Sequence, residues 1–234
     1  MGVLNKLALK RTAKSITRRA MLLKLAAITT AGLTLVAGVT YVIAYFYQQS
    51  GSFTVNLNRY DMLQTGLSLS DNREFIKPIS RLTANPLTGA DNISINDLPN
   101  NLNELDGENS NVNFISYTYY VKNSGKSTVT YQNTLNIENA SQNIDAAIRV
   151  KVYENDKPTV YAKAKTDNVT AENGTTPFVS STIAMQSRRS EFAPDDYDKY
   201  TVIIWLEGDD PECVDSIIGG TIKFTMNVKI IESS

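Results

Sequence analysis

Two hydrophobic periods divide this chain. From Leu25 to Tyr47 it runs 23 residues without a formal charge, and at about 1.5 Å rise per residue such a helix covers a bilayer core of about 30 Å with some tilt. Beyond residue 52 the apolar positions recur every second residue instead, which is the period of a half-buried strand. In 114–122, Ile115, Tyr117, Tyr119 and Val121 form one face and Phe114, Ser116, Thr118, Tyr120 and Lys122 the other. Ile144, Ala146, Ile148, Val150 and Val152 alternate with Asp145, Ala147, Arg149, Lys151 and Tyr153, and Val160, Ala162 and Ala164 oppose Tyr161, Lys163 and Lys165. Tyr200, Val202, Ile204 and Leu206 share a side, as do Ile222, Phe224, Met226, Val228 and Ile230.

These runs are joined by polar turns, with no 3.6-residue period after residue 50, and they predict an all-β ectodomain. The expected architecture is an antiparallel β-sandwich, jelly-roll or immunoglobulin-like, preceded by one N-terminal transmembrane helix. Asn123-Ser124-Gly125-Lys126 reads as a hairpin loop between 114–122 and the run carrying Val129, Tyr131, Leu135 and Ile137. Asn155-Asp156-Lys157-Pro158 reads as a second turn. Residues 73–110, rich in Asn, Asp and Pro, read as long loops with a short helix, and connections of that length are where partner contacts concentrate. The resulting order is a basic, amphipathic cytoplasmic segment over 1–24, the span over 25–47, a linker over 48–52 and the ectodomain over 53–234.

Charge fixes the orientation. Lys6, Lys10, Arg11, Lys14, Arg18, Arg19 and Lys24 precede the apolar run, and the first acidic residue is Asp61. Taking those seven from the 23 basic residues leaves 16 against 24 acidic ones, so the body carries about -8. A basic head is retained on the cytoplasmic side and drawn to anionic lipid, which sends the body outside. Lys24 at the inner end and Tyr41, Tyr45, Phe46 and Tyr47 at the outer end are the residue types that anchor a helix at the headgroup layers. Nucleic acid is not the expected partner, because these cations sit directly before a membrane-length run and the body is acidic.

A cleaved signal peptide is the alternative, with Val42 and Ala44 at the -3 and -1 positions, cleavage before Tyr45 and a secreted product. The apolar run exceeds the usual signal-peptide core of about 7–15 residues, which favours retention. Ala27 with Ala31 and Thr34 with Gly38 have the spacing of small residues that lets two helices approach, a spacing frequent by chance in such spans.

The chain contains no histidine, which removes the commonest general base, the commonest zinc ligand and the usual Ser or Cys triads. Its single cysteine, Cys213, rules out an internal disulfide and reads as a small buried hydrophobe, an intermolecular disulfide site or a free thiol. Asp209, Asp210, Glu212 and Asp215 offer oxygen ligands for calcium, but without the spacing of an EF-hand, and the bland reading is a solvated turn between strands ending at Leu206 and beginning near Ile217. Asp195, Asp196 and Asp198 read the same way. Asn85-Pro86-Leu87-Thr88-Gly89 is a Pro/Gly turn. No catalytic residue and no cofactor is assigned, although carboxylates drawn together from distant strands would not show in sequence.

The runs Leu33-Thr34-Leu35-Val36-Ala37-Gly38-Val39-Thr40-Tyr41, Ala44-Tyr45-Phe46 and Ser52-Phe53-Thr54-Val55-Asn56-Leu57 resemble the leader and first strand of TasA/camelysin-type proteins of Gram-positive bacteria. Tyr119 to Gly125 and Trp205 to Cys213 resemble segments of related surface proteins. The resemblance implies a jelly-roll-like sandwich and a role in surface fibres or matrix, and it transfers no catalytic residue. The expected function is therefore non-enzymatic: a membrane-anchored module that binds a protein partner or its own copies, in the fibre version through an edge strand such as Phe53–Leu57. A wall glycan-binding module or carboxylate-dependent wall enzyme, using exposed Tyr or Trp, is the alternative from another class.

Overall fold

The computed structural model describes residues 21–42, 53–165, 167 and 169–233. The chain divides into two units, Met1–Gln48 and Gln49–Ser234. In the first, helix α1 covers Met21–Val42 and is long and apolar enough to cross a membrane, as an anchor or as a signal sequence. All of its residues are exposed. The hydroxyls of Thr29, Thr30, Thr34 and Thr40 donate to carbonyls three or four residues back, at 2.8–3.1 Å, so these hydroxyls are satisfied within the helix and expose no free donor along it. Lys24 and Tyr41 lie on α1. Tyr45, Phe46, Tyr47, the 48–52 linker, the Ala44 cleavage position and most of the basic segment fall outside the described residues.

The second unit is built from β1 (Phe53–Leu57), α2 (Arg59–Thr65), β2 (Leu67–Ser70), β3 (Arg81–Thr83), β4 (Gly107–Glu108), β5 (Phe114–Asn123), β6 (Val129–Glu138), β7 (Ile148–Glu154), β8 (Lys157–Ala162), β9 (Thr176–Pro177), β10 (Ile183–Phe192), β11 (Tyr197–Leu206) and β12 (Lys223–Ser233). One sheet has the order β10-β6-β12-β1-β3, and the other β2-β5-β11-β7-β8-β9, with β4 pairing to β5. Both are mixed. β1 runs parallel to β12, and β8 parallel to β9, which corrects the strictly antiparallel expectation. The β1–β12 pairing is available because the two strands are far apart in sequence, so no short hairpin constrains their direction.

The two sheets pack face to face around one core. Phe53, Val55, Leu135, Met185, Phe224 and Met226 come from the first sheet, and Leu69, Tyr119, Val150, Val152 and Val202 from the second, all buried. The alternation read in β5, β11 and β12 points Tyr119, Val202 and Phe224 into this layer. The outer face of the second sheet is also covered. Leu98, which caps the 3₁₀ turn Ile95–Asp97, and Leu102, which opens the 3₁₀ turn Leu102–Glu104, pack with buried Phe114, Ile203 and Trp205. The irregular 73–110 segment is thus in part a lid over the sheet, which is why β5 and β11 are buried on both faces.

Several local expectations change. β5 and β6 are not a hairpin: β5 pairs with β2, β4 and β11, and β6 with β10 and β12, so the Ser124–Thr128 connection passes between sheets. Gly125 sits so close to the end of α2 that an added Cβ would lie 1.8 Å from the Thr65 carbonyl oxygen. The β7–β8 hairpin holds, its Asn155 and Asp156 at φ 47° and 69°, the conformation that primed turns demand. Residues 144–146 form a 3₁₀ turn rather than strand, and the strand after Leu206 starts at Lys223 rather than near Ile217, which closes a 3₁₀ turn. β1 has neighbours on both sides, β12 and β3, so it offers no free edge for a second subunit.

Candidate functional site

Two opposite ends of the β unit carry its distinctive chemistry. Because β1 and β12 are parallel, with Phe53 opposite Phe224 and Leu57 opposite Val228, the loop that precedes β12 and the helix that follows β1 lie at opposite ends. The 207–222 loop is the acidic end. Of the four calcium candidates, the fold brings together Asp210 and Glu212, and it adds Glu172; one carboxylate oxygen from each lies within 4.8 Å of the others. Asp209 is elsewhere, accepting from the Ser94 hydroxyl at 2.9 Å, and Asp215 sits exposed at the start of a 3₁₀ turn.

The cluster already has a cation. Arg149, on β7, donates to Asp210 and also to the carbonyls of Ala146 and Ile148, with side chains 7% and 0% exposed for Arg149 and Asp210. Burial pushes the Asp210 carboxyl up, but hydrogen bonds from Glu212 and the Arg149 charge outweigh it and hold the group below the usual aspartate range. Glu212 moves the other way, raised by its hydrogen bond to Asp210, then by burial and the Asp210 charge. The opposite shifts have one source, a hydrogen bond between the two carboxyl groups. Cys213 beside them is half-buried and accepts from the Asn92 amide at 3.3 Å.

At the other end, α2 is capped by the Asn58 side chain, which accepts from the Tyr60 N–H, and is closed by Gly66 at φ 77°. Asp61 Oδ2 accepts from the Ile230 N–H at 3.0 Å, tying the helix to β12. Between α2 and the strand leading to β3 runs a groove of about 340 Å³ floored by Met62, Leu63, Pro78 and Ile79, with Arg59 and Arg81 on its rims. Leu63 in this groove is exposed, as are Tyr60 on α2 and Ile76 two residues before Pro78. A second groove, about 490 Å³, lies beside the Asn85–Thr88 turn, which Glu108 pins by accepting from the Asn85 backbone and amide at 2.8 and 2.9 Å.

Between the sheets lies a polar network that the sequence did not announce. The Tyr131 hydroxyl donates to Asp198 at 2.5 Å and meets the Tyr200 hydroxyl at 2.8 Å, while Asn155 and Arg189 donate to the same carboxylate at 2.7 and 3.2 Å. Tyr119 stacks on Tyr200, ring centres 5.3 Å apart. Asp198 is therefore an internal strut joining β6, β10 and β11, not part of a solvated acidic turn. Trp205 is 1% exposed and donates to Glu207 at 3.0 Å, so it presents no stacking face, and exposed Tyr197 carries the Arg73 guanidinium 5.3 Å from its ring centre.

No protein-family profile matches the chain, and no characterised protein matches it. Among solved structures, a selenomethionine-labelled β-glucosidase from Kluyveromyces marxianus is similar over 69% of this chain and 17% of its own length, at 11% identity and a TM-score of 0.25. The chain thus spans about a sixth of that enzyme, and a likeness this slight carries neither fold nor activity across.

Proposed function

We propose that this chain is a single-pass, membrane-anchored cell-surface protein, with its N-terminus in the cytoplasm and a β-sandwich outside. The sandwich, of jelly-roll or immunoglobulin-like type, works by binding a protein partner or further copies of itself, without enzymatic chemistry. One observation carries this reading: a span-length helix with every side chain exposed precedes a β unit whose core residues all lie between Phe53 and Val228. A tether and a self-sufficient module are the two parts such a protein needs. The surface-fibre or matrix role implied by the TasA/camelysin-type resemblance belongs to the same reading. The chain's one tryptophan, Trp205, is buried, so a glycan platform would have to rest on tyrosines such as Tyr60 and Tyr197. The test is fractionation of cells followed by protease treatment of intact ones. Sedimentation with membranes and loss of the β unit to external protease are expected; an intact, protected chain in the soluble fraction would overturn the reading.

A further inference from the structure

The sheet edges offer little to a partner strand. β3 has three residues, β9 has two including Pro177, and β10 shifts register at both ends and carries Arg188 and Arg189, the devices by which sheets blunt their edges. The ends of the unit are different. Of the six arginines beyond residue 52, Arg149, Arg188 and Arg189 pair with carboxylates and Arg73 with Tyr197. Of these six arginines, Arg59 and Arg81 alone have no side-chain partner among the described residues, and these two rim one apolar groove. At the opposite end the acidic loop exposes Asp209 and Asp215 with two large apolar side chains, Val214 and Ile218, 52% and 73% exposed.

We propose that the groove of one copy receives the 209–218 loop of a second copy, Arg59 and Arg81 facing Asp209 and Asp215 while Val214 or Ile218 enters between Leu63 and Ile79. This rests on the reading of the β unit as a self-associating module and names the surfaces it uses. Charge complementarity selects the occupant: the rims are cationic in a body of net negative charge, and the loop supplies both the opposite charge and an exposed apolar side chain to cover the apolar floor. The contact is heterologous. Lys223 opens β12, and Ile230, whose N–H binds Asp61 of α2, lies seven residues further on, about 23 Å away at strand rise, so each copy keeps one free groove and one free loop, and association is open-ended rather than closed.

The test uses residues 53–234, whose core is complete without the first 52, in sedimentation velocity with reductant present to silence Cys213. Concentration-dependent, salt-weakened association is expected. Arg59→Glu with Arg81→Glu weakens it about tenfold or more, as does Asp209→Lys with Asp215→Lys, and mixing the two variants restores association between reversed partners. Trp205 fluorescence verifies folding, and the milder Arg59→Gln with Arg81→Gln weakens association in the same direction. A body that stays monomeric to about 1 mM at low salt, or association unmoved by both charge reversals, overturns the contact. Fractionation decides the anchored-module reading separately, so the two fail apart.

Discussion

Replacing Arg149 by Met leaves Asp210 buried without its cation. Both side chains are almost fully excluded from solvent, at 7% and 0% exposure, so this is not a screened surface pair worth at most about 1 kcal/mol. Removing one member of a buried pair costs about 3–5 kcal/mol, because the remaining charge is uncompensated. The Ala146 and Ile148 carbonyls also lose a donor. For a unit of this size about 1 kcal/mol moves the melting temperature by 2–4 °C, which places the variant about 6–20 °C below the parent. Removing both charges, Arg149→Met with Asp210→Leu, should recover most of that loss, since a well-packed apolar pair is close to neutral. Urea titration followed by fluorescence reads both, because Trp205 is the chain's one tryptophan and is 1% exposed. A single variant within about 1 kcal/mol of the parent, or a double variant no better than the single, would refute the argument.

Further outcomes follow from the same geometry. Tyr131→Phe removes the hydroxyl shared by Asp198 and Tyr200 and should cost about 1–3 kcal/mol in urea titration. Gly125→Ala places a Cβ 1.8 Å from the Thr65 carbonyl oxygen, backbone that cannot swing aside, and should cost about 2–3 kcal/mol. Glu212 is raised above its ordinary 4.5, so the stability it contributes is complete below that pH and is lost as pH climbs through the folded value; Glu212→Gln should flatten the decline in melting temperature as pH rises above 4.5. Asp210 has the opposite sign: held below 3.8, its contribution is present above that pH and lost on further acidification.

The sequence carried the strands whose alternation is regular and whose partners are chemically plain. Ile115, Tyr117, Tyr119 and Val121 in β5, and Phe224, Met226 and Val228 in β12, face the core as their period requires. It did not carry β10, whose Ile-Ala-Met-Gln-Ser-Arg-Arg-Ser-Glu-Phe lacks β-branched residues beyond Ile183 and breaks register twice. Nor did it carry α2, seven residues that are too few to display a helical period. The sheet to which β6 belongs is set by β10 and β12, more than 40 residues downstream, which a local turn signal cannot report. The same limit applies at the acidic end. Asp210 and Glu212 were visible together, but Glu172 joins them from a distant loop, and Asp209 is drawn off by Ser94. Arg59 and Arg81 stand out only because the fold gives every other arginine of the β unit a partner.

The central claim is that the apolar helix stays attached to the β unit at the cell surface. Determining the first residue of the mature protein recovered from cells tests this most directly. A chain that still begins in the basic segment 1–24 and sediments with membranes is the expected result; one that begins at Tyr45 contradicts it.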